Sequence, residues 1–124
     1  MSAQRYDPTM ADQPLKIEDL QGTKNGVRIL KLNGPLVLAN LFEFQSRIRA
    51  DHSTGLILDF TNVPLMDSAG VGALVGAYVN RDKGQRSLGL VGVNQRIRNV
   101  LEITRVQGFF KMFASIAEAE SAVA

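Results

Sequence analysis

The residue types best suited to chemistry stand together in one short polar segment, Asp67-Ser68-Ala69-Gly70. The segment lies between an apolar run and an amphipathic pattern, which predicts a turn from a strand into a helix. Aspartate and serine are favoured at helix starts because their oxygens accept hydrogen bonds from unpaired backbone N–H groups. The same N–H groups and the helix dipole favour a bound phosphate. Two interpretations of Ser68 therefore stand, a helix cap and a site of phosphorylation that would add about −1.5 to −2 charge beside Asp67.

Catalysis by Ser68 lacks the groups that activate a serine. The only histidine is His52, in a polar segment before the apolar run, and the chain has no cysteine. The Gly-x-Ser-x-Gly turn of the α/β-hydrolases is absent, because Met66 stands where its first glycine would be. We therefore expect no catalytic residue, no metal site and no cofactor.

The glycine pattern Gly70-x-Gly72-x-x-x-Gly76 approaches the fingerprint of dinucleotide-binding folds. Its spacing differs by one residue, and Val93-Asn94 stands at the end of the next strand, where that fingerprint has an acidic residue. The Gly-Lys-Ser/Thr of phosphate loops is absent as well. A nucleotide-binding enzyme is therefore disfavoured. Since a glycine inside a helix costs about 1 kcal/mol relative to alanine, Gly72 and Gly76 indicate that another surface approaches closely.

Length and composition are those of one ordinary globular domain. The chain has 124 residues, 45% of them hydrophobic and 21% charged, and a formal net charge of +2. So small a net charge does not demand a nucleic acid partner. We interpret the basic residues of the second half as solvated helix ends and faces: Arg81, Lys83, Arg86, Arg96, Arg98 and Arg105.

The location of the protein is predicted from what the sequence lacks. The absence of cysteine fits a reducing cytoplasm, and no apolar run approaches the roughly 18 residues of a membrane span. We therefore expect a cytoplasmic protein with no membrane contact. Its organisation is predicted as a disordered polar leader at 1–13 and one domain at 14–124.

Periodicity predicts an opening hairpin and then alternating helices and strands. Apolar or alternating runs indicate strands, and apolar residues at i, i+3, i+4 and i+7 indicate helices. We expect strands near 15–18, 27–32, 56–60, 87–93 and 109–113, and helices near 40–50, 70–83, 94–104 and 116–123. Because strand–helix–strand units make parallel neighbours, the fold class is α/β. We expect a single layered domain with a mixed sheet of four to five strands and about four packing helices.

Some local predictions are specific enough to test. Asn40 with Glu43, and Ser115 with Glu118, have the spacing of capping boxes. The helix after Ser68 has an apolar stripe that we expect to face the core, formed by Val71, Leu74, Val75, Tyr78 and Val79.

The chain resembles the STAS domain of anti-sigma factor antagonists. The similarity lies in the strand 56–60, the approach Val63-Pro64-Leu65-Met66, the element Asp67-Ser68-Ala69-Gly70 and the helix that follows. It continues through 88–94, the helix ending at Thr104 and the final turn and helix. The family has a mixed sheet with packed helices, which agrees with the order of elements given above.

The resemblance implies a regulatory binding protein that is not an enzyme. Ser68 would be phosphorylated by an anti-sigma factor with serine kinase activity. Without the phosphate, the protein would bind that anti-sigma factor and so release a sigma factor for transcription; a serine/threonine phosphatase would reset it. The protein itself would be a monomer or a weak dimer. The resemblance places partner contacts at Asp67, Ala69, Gly70, Val71, Gly72, Gly76, Leu36 and Val37.

The chain departs from the resemblance at one place. Many antagonists carry an acidic residue where this chain has the valine of Gly34-Pro35-Leu36-Val37. Together with Ala39-Asn40, this segment is also similar to the STAS domains of sulfate-type anion transporters. The alternative is therefore a free-standing STAS binding module for another regulator or a small ligand, not controlled by phosphorylation of Ser68.

Overall fold

A computed structural model describes residues 13–123. The predicted leader lies outside these residues except for its last position, Gln13. The strands are β1 (Lys16–Gln21), β2 (Val27–Asn33), β3 (Gly55–Asn62), β4 (Ser87–Val91) and β5 (Lys111–Phe113). The helices are α1 (Leu41–Ala50), α2 (Ser68–Lys83), α3 (Gln95–Ile103) and α4 (Ile116–Val123), and short 3₁₀ turns occupy Leu38–Asn40 and Gln107–Phe109. No helix among residues 13–123 is both long and apolar enough to cross a bilayer.

The five strands form one mixed sheet in the order β1-β2-β3-β4-β5. β1 is antiparallel to β2, and every later pair is parallel, with Leu30 beside Leu58 and Leu58 beside Leu90. The apolar strand at 56–60 is central, as its sequence predicted. The predicted α/β class, the opening hairpin and the mixed sheet are confirmed.

Helices cover both faces of the sheet. The larger core lies under α1, α2 and α3, where Phe44, Leu74 and Ile97 pack on leucines of the central strands. The smaller core lies under α4, whose Ala119 and Val123 pack on the other face. Since successive strand residues point to opposite faces, the nearly continuous apolar run in β3 serves both cores.

The predicted apolar stripe of α2 is wrong in part. Val71 and Leu74 are buried, but Val79 is 43% exposed, and Ala77 is buried in its place. α2 packs against α1 as well as against the sheet. Small residues let the two helices and the sheet approach, so the buried side of α2 does not follow its largest side chains.

The interpretation of Arg81 as a solvated helix end is also wrong. Its guanidinium is buried and donates to Asp51 Oδ1 at 3.1 Å, to Ser53 O at 2.8 Å and to Ser87 O at 2.9 Å. Burial lowers the pKa of Arg81, and the charge of Asp51 opposes that shift. An arginine so paired keeps its proton at neutral pH. The ion pair fastens the last turn of α2 to the segments before β3 and β4.

The capping box at Asn40 does not form. Asn40 Oδ1 accepts from Val37 N at 3.0 Å, and its amide donates to Pro35 O at 2.7 Å. Glu43 instead forms an ion pair with Arg47 at 2.9 Å. Asn40 therefore holds the loop before α1 rather than the helix itself.

The second capping box forms with a changed partner. Ser115 Oγ accepts from Glu118 N at 3.2 Å, as predicted, but Glu118 Oε1 accepts from Ala114 N, also at 3.2 Å. The start of α4 is therefore capped, although the reciprocal hydrogen bond is displaced by one residue.

Candidate functional site

The candidate site lies where the carboxyl ends of β2 and β3 meet. The segments that follow the two strands are joined by two backbone hydrogen bonds. Gly34 N donates to Asn62 O at 3.1 Å, and Leu36 N donates to Leu65 O at 3.1 Å. Leu36 and Met66 form an isolated parallel bridge. The loop before α1 is thereby held against the turn before α2. This brings together two segments that the sequence places about thirty residues apart.

Asp67 is the N-cap of α2. Its Oδ1 accepts from Gly70 N at 2.8 Å, and its Oδ2 accepts from Leu38 N at 3.1 Å. One carboxylate therefore caps the helix and holds the neighbouring loop. Capping is the simpler of the two interpretations of the polar segment, and the structure assigns it to Asp67.

Ser68 is the first residue of α2 and is exposed. The cap hydrogen bond comes from Asp67, so the Ser68 hydroxyl is not committed to the cap. Among residues 13–123, no hydrogen bond joins that hydroxyl to another group. It stands at the positive end of a 16-residue helix, where added negative charge is favoured.

Gly70 is the point of closest contact between α2 and the loop before α1. A Cβ at this position would lie 2.1 Å from Leu36 O and 2.6 Å from Met66 Cγ. No other residue type has room there. The glycine thus lets the first turn of α2 rest directly on the loop backbone, which places Ser68 beside that loop.

Gly72 and Gly76 have the opposite surroundings. A Cβ at either position would meet no atom within 4 Å among the described residues. Both glycines line a groove of about 360 Å³ between α1 and α2, together with Gln45, Arg49 and Asn80. No part of the described chain makes the close approach that these glycines indicated, so the groove is open to a partner.

The predicted contact residues divide by burial. Asp67, Ser68, Gly72 and Gly76 are exposed, and Ala69 is half-buried. The rest are buried and support the surface from below: Leu36, Val37, Gly70 and Val71.

Sequence reasoning missed two apolar residues of this region. Leu38 is 74% exposed and Phe42 is 75% exposed. The sequence does indicate that Phe42 is exposed, because Phe42 lies off the apolar stripe of α1. That stripe is formed by Leu41, Phe44 and Ile48.

His52 lies at the wrong end of the sheet to activate Ser68. It precedes β3, whereas Ser68 follows β3, and the eight residues of that strand span about 23 Å. His52 is also exposed. Within residues 13–123, no cluster of three or more histidine, aspartate or glutamate side chains is arranged to hold a metal ion.

Comparison with known proteins gives consistent matches. Residues 22–119 match the family model of the STAS domain. A Staphylococcus aureus protein named anti-sigma-B factor antagonist is 31% identical over 78 residues, which span 60% of this chain and 72% of that protein.

Solved structures match over most of the chain. An anti-sigma factor antagonist from Mycobacterium paratuberculosis has a TM-score of 0.73 at 22% identity and covers 87% of this chain and 94% of its own. The Bacillus cell fate determinant SpoIIAA in its phosphorylated form has a TM-score of 0.66 at 19% identity, with coverages of 89% and 99%. At these identities the likeness establishes the fold.

Proposed function

Because this chain belongs to the STAS domain family, and within it to the anti-sigma factor antagonists, we propose that it is a non-catalytic switch operated by phosphorylation of Ser68. With Ser68 unmodified, it binds an anti-sigma factor that is also a serine kinase, and a sigma factor is released for transcription. Phosphorylation of Ser68 ends this binding, and a serine/threonine phosphatase restores it.

The observation that carries the proposal is the position of Ser68. Its hydroxyl is exposed and is not used by the helix cap, because Asp67 supplies that hydrogen bond. The neighbouring Asp67 is held in place because its carboxylate accepts hydrogen bonds from Leu38 N and Gly70 N. A kinase therefore meets a fixed and accessible hydroxyl, and modification breaks no hydrogen bond within residues 13–123.

The physical basis of the switch is charge placed in a docking surface. A phosphate on Ser68 would carry about −1.5 to −2 charge beside the carboxylate of Asp67. The helix dipole stabilises that charge while the protein is free, typically by about 0.3–1 kcal/mol. Docking would strip water from the phosphate, and an unpaired desolvated charge, or a like charge in the partner, costs several kcal/mol. Binding is then lost although the fold is unchanged.

The relatives support a regulator of this kind. The S. aureus protein is named an anti-sigma-B factor antagonist, and the structure of SpoIIAA includes a phosphorylated form. Both descriptions belong to those proteins. For this chain, the exposed Ser68 at the start of α2 is the feature to which the same regulation would apply.

The test is phosphorylation by anti-sigma factor kinases of the source organism. Each kinase is purified and incubated with the full chain, Mg²⁺ and ATP, and the modified residue is identified by mass spectrometry. We expect one phosphate, on Ser68, and none on Ser68→Ala. The partner should bind Ser68→Ala as it binds the wild type, and Ser68→Asp at least about 10-fold more weakly.

A matched control is available at Ser115, which is also an exposed serine at a helix start. Ser115→Asp keeps a capping oxygen and adds the same charge on the α4 side of the sheet. It should bind the partner like the wild type. Modification at another residue, or equal binding by Ser68→Ala and Ser68→Asp, would contradict the switch.

A second candidate function is favoured by the groove itself. The space of about 360 Å³ beside Gly72 and Gly76 would accept a regulator or small ligand without any phosphorylation. Ser68 would then be unmodified in cells, and Gly72→Leu, which fills the groove, would abolish binding. Loss of binding on phosphorylation of Ser68 would decide for the switch.

A further inference from the structure

We infer that Leu38 and Phe42 are the main contacts of the surface beside Ser68, so that the anti-sigma factor presents an apolar face to them. The inference rests on the proposed function and specifies the chemistry of its partner. Leu38 and Phe42 lie outside the contact residues that the family resemblance implies.

Exposure is the first observation. Leu38 and Phe42 are 74% and 75% exposed, which places them among the most exposed large apolar side chains of residues 13–123. Leu38 lies in the 3₁₀ turn that runs directly into α1, and Phe42 is the second residue of α1, so the two residues lie in adjacent turns. Two neighbouring large apolar side chains are typical anchors of a protein interface.

Rigidity is the second observation. Leu38 N donates to Asp67 Oδ2 at 3.1 Å, and Asn40 holds the same loop through Val37 N and Pro35 O. The loop is therefore ordered before any partner arrives. A contact residue on such a loop loses little conformational entropy on binding, which favours its use as an anchor.

Continuity with the phosphorylation site is the third observation. Phe42, Gln45 and Arg49 follow one another at i, i+3 and i+7 on the same side of α1. Gln45 and Arg49 line the groove beside Ala69, the residue after Ser68. A partner that covers Leu38 and Phe42 would therefore also cover Ser68 and enter the groove.

Charge is the fourth observation. Arg49 is the charged residue among those that line the groove, and Asp67, next to Ser68, already accepts two hydrogen bonds from backbone N–H groups. Glu43 on α1 is paired with Arg47. With one charge of each sign, the surface offers little net attraction to a charged patch. Binding by the unphosphorylated protein should therefore depend weakly on salt.

The experiment uses the purified anti-sigma factor that phosphorylates Ser68, titrated against the full chain by calorimetry without ATP. Leu38→Ala and Phe42→Ala should each raise Kd by about 10-fold or more. Ile103→Ala is the matched control, because Ile103 is 79% exposed but lies at the end of α3. It should change Kd by less than about 2-fold. Raising the salt from about 50 to about 500 mM should change the Kd of the wild type by less than about 3-fold.

Three results would overturn the inference. Wild-type affinity in Leu38→Ala and Phe42→Ala would exclude these residues as anchors. A rise in Kd of more than about 10-fold with salt would show a partner held by charge. A wild-type dimer in sedimentation that Phe42→Ala dissociates would assign the surface to a second copy of the chain.

These failures are distinguishable from failure of the proposed function. If the wild type neither binds any anti-sigma factor nor is phosphorylated on Ser68, the proposed function and this inference fall together. If the wild type binds and is phosphorylated while both alanine variants bind equally well, only the inference is overturned.

Discussion

Replacing Gly70 by alanine tests how the loop before α1 and the start of α2 are held together. An alanine Cβ would lie 2.1 Å from Leu36 O, whereas ordinary contact begins at 3.4 Å. The Leu36 oxygen and the new Cβ must therefore move apart by roughly a further 1.3 Å. The oxygen cannot move alone, because Leu36 is fully buried and its N–H donates to Leu65 O at 3.1 Å. The start of α2 must move instead.

The cost follows from two opposing terms. Overpacking a well-packed contact typically costs about 1–3 kcal/mol. Alanine is the better helix former by up to about 1 kcal/mol, which offsets part of this cost. Because the clash is with a buried backbone oxygen, the overpacking term lies near the upper end, about 3 kcal/mol. We therefore expect Gly70→Ala to lower the free energy of unfolding by about 2 kcal/mol and to lower Tm by roughly 8 °C.

The same substitution at Gly72 or Gly76 is the control. Neither Cβ would meet an atom within 4 Å, so only the helix-propensity term remains. Each variant should gain up to about 1 kcal/mol. The three proteins differ by one methyl group within one helix, and the expected changes have opposite signs.

Urea unfolding followed by circular dichroism measures these changes, with the midpoint and the slope m fitted for each variant. The reasoning predicts a lower midpoint for Gly70→Ala with an unchanged m. Wild-type stability of Gly70→Ala would refute the close contact with Leu36 O. Destabilisation by Gly72→Ala would show that the groove is not open.

Two further predictions concern polar groups far from Ser68. Asp51→Ala removes the partner of the buried Arg81 and should lower the free energy of unfolding by about 3–5 kcal/mol. Asp82→Ala, at an exposed position, is the control. If urea unfolding shows the same loss of stability for both variants, the buried ion pair is contradicted. Glu120 Oε1 accepts from Thr23 N at 2.8 Å and from Lys24 N at 3.2 Å. Glu120→Ala should therefore lower the free energy of unfolding by about 1–3 kcal/mol and speed amide hydrogen exchange at Thr23 and Lys24. Unchanged exchange at those two residues would contradict the contact.

The order of elements was predictable because it depends on local patterns. The apolar run at 56–60 and the opening hairpin are read from patterns of a few residues, and both predictions were confirmed, by β3 and by the antiparallel pair of β1 and β2. The buried side of α2 was not predictable in the same way. It depends on α1, a helix brought against it from a distant part of the chain.

The position of Ser68 at the start of a helix was predictable for the same reason, because a serine in a polar turn before an amphipathic pattern is a local signal. The exposure of Leu38 and Phe42 was missed, since an apolar residue in a sequence is ordinarily assigned to the core. The double role of Asp67 was missed because Leu38, the second donor, is 29 residues away.

The sequence by itself determined the α/β class and the strand–turn–helix around Ser68. Tertiary structure alone decided that Asp67 also holds the loop before α1, and that Gly70 is packed while Gly72 and Gly76 line an open groove. The reason is physical. Propensity and periodicity act over a few residues, whereas contact and burial depend on which distant segments the sheet brings together.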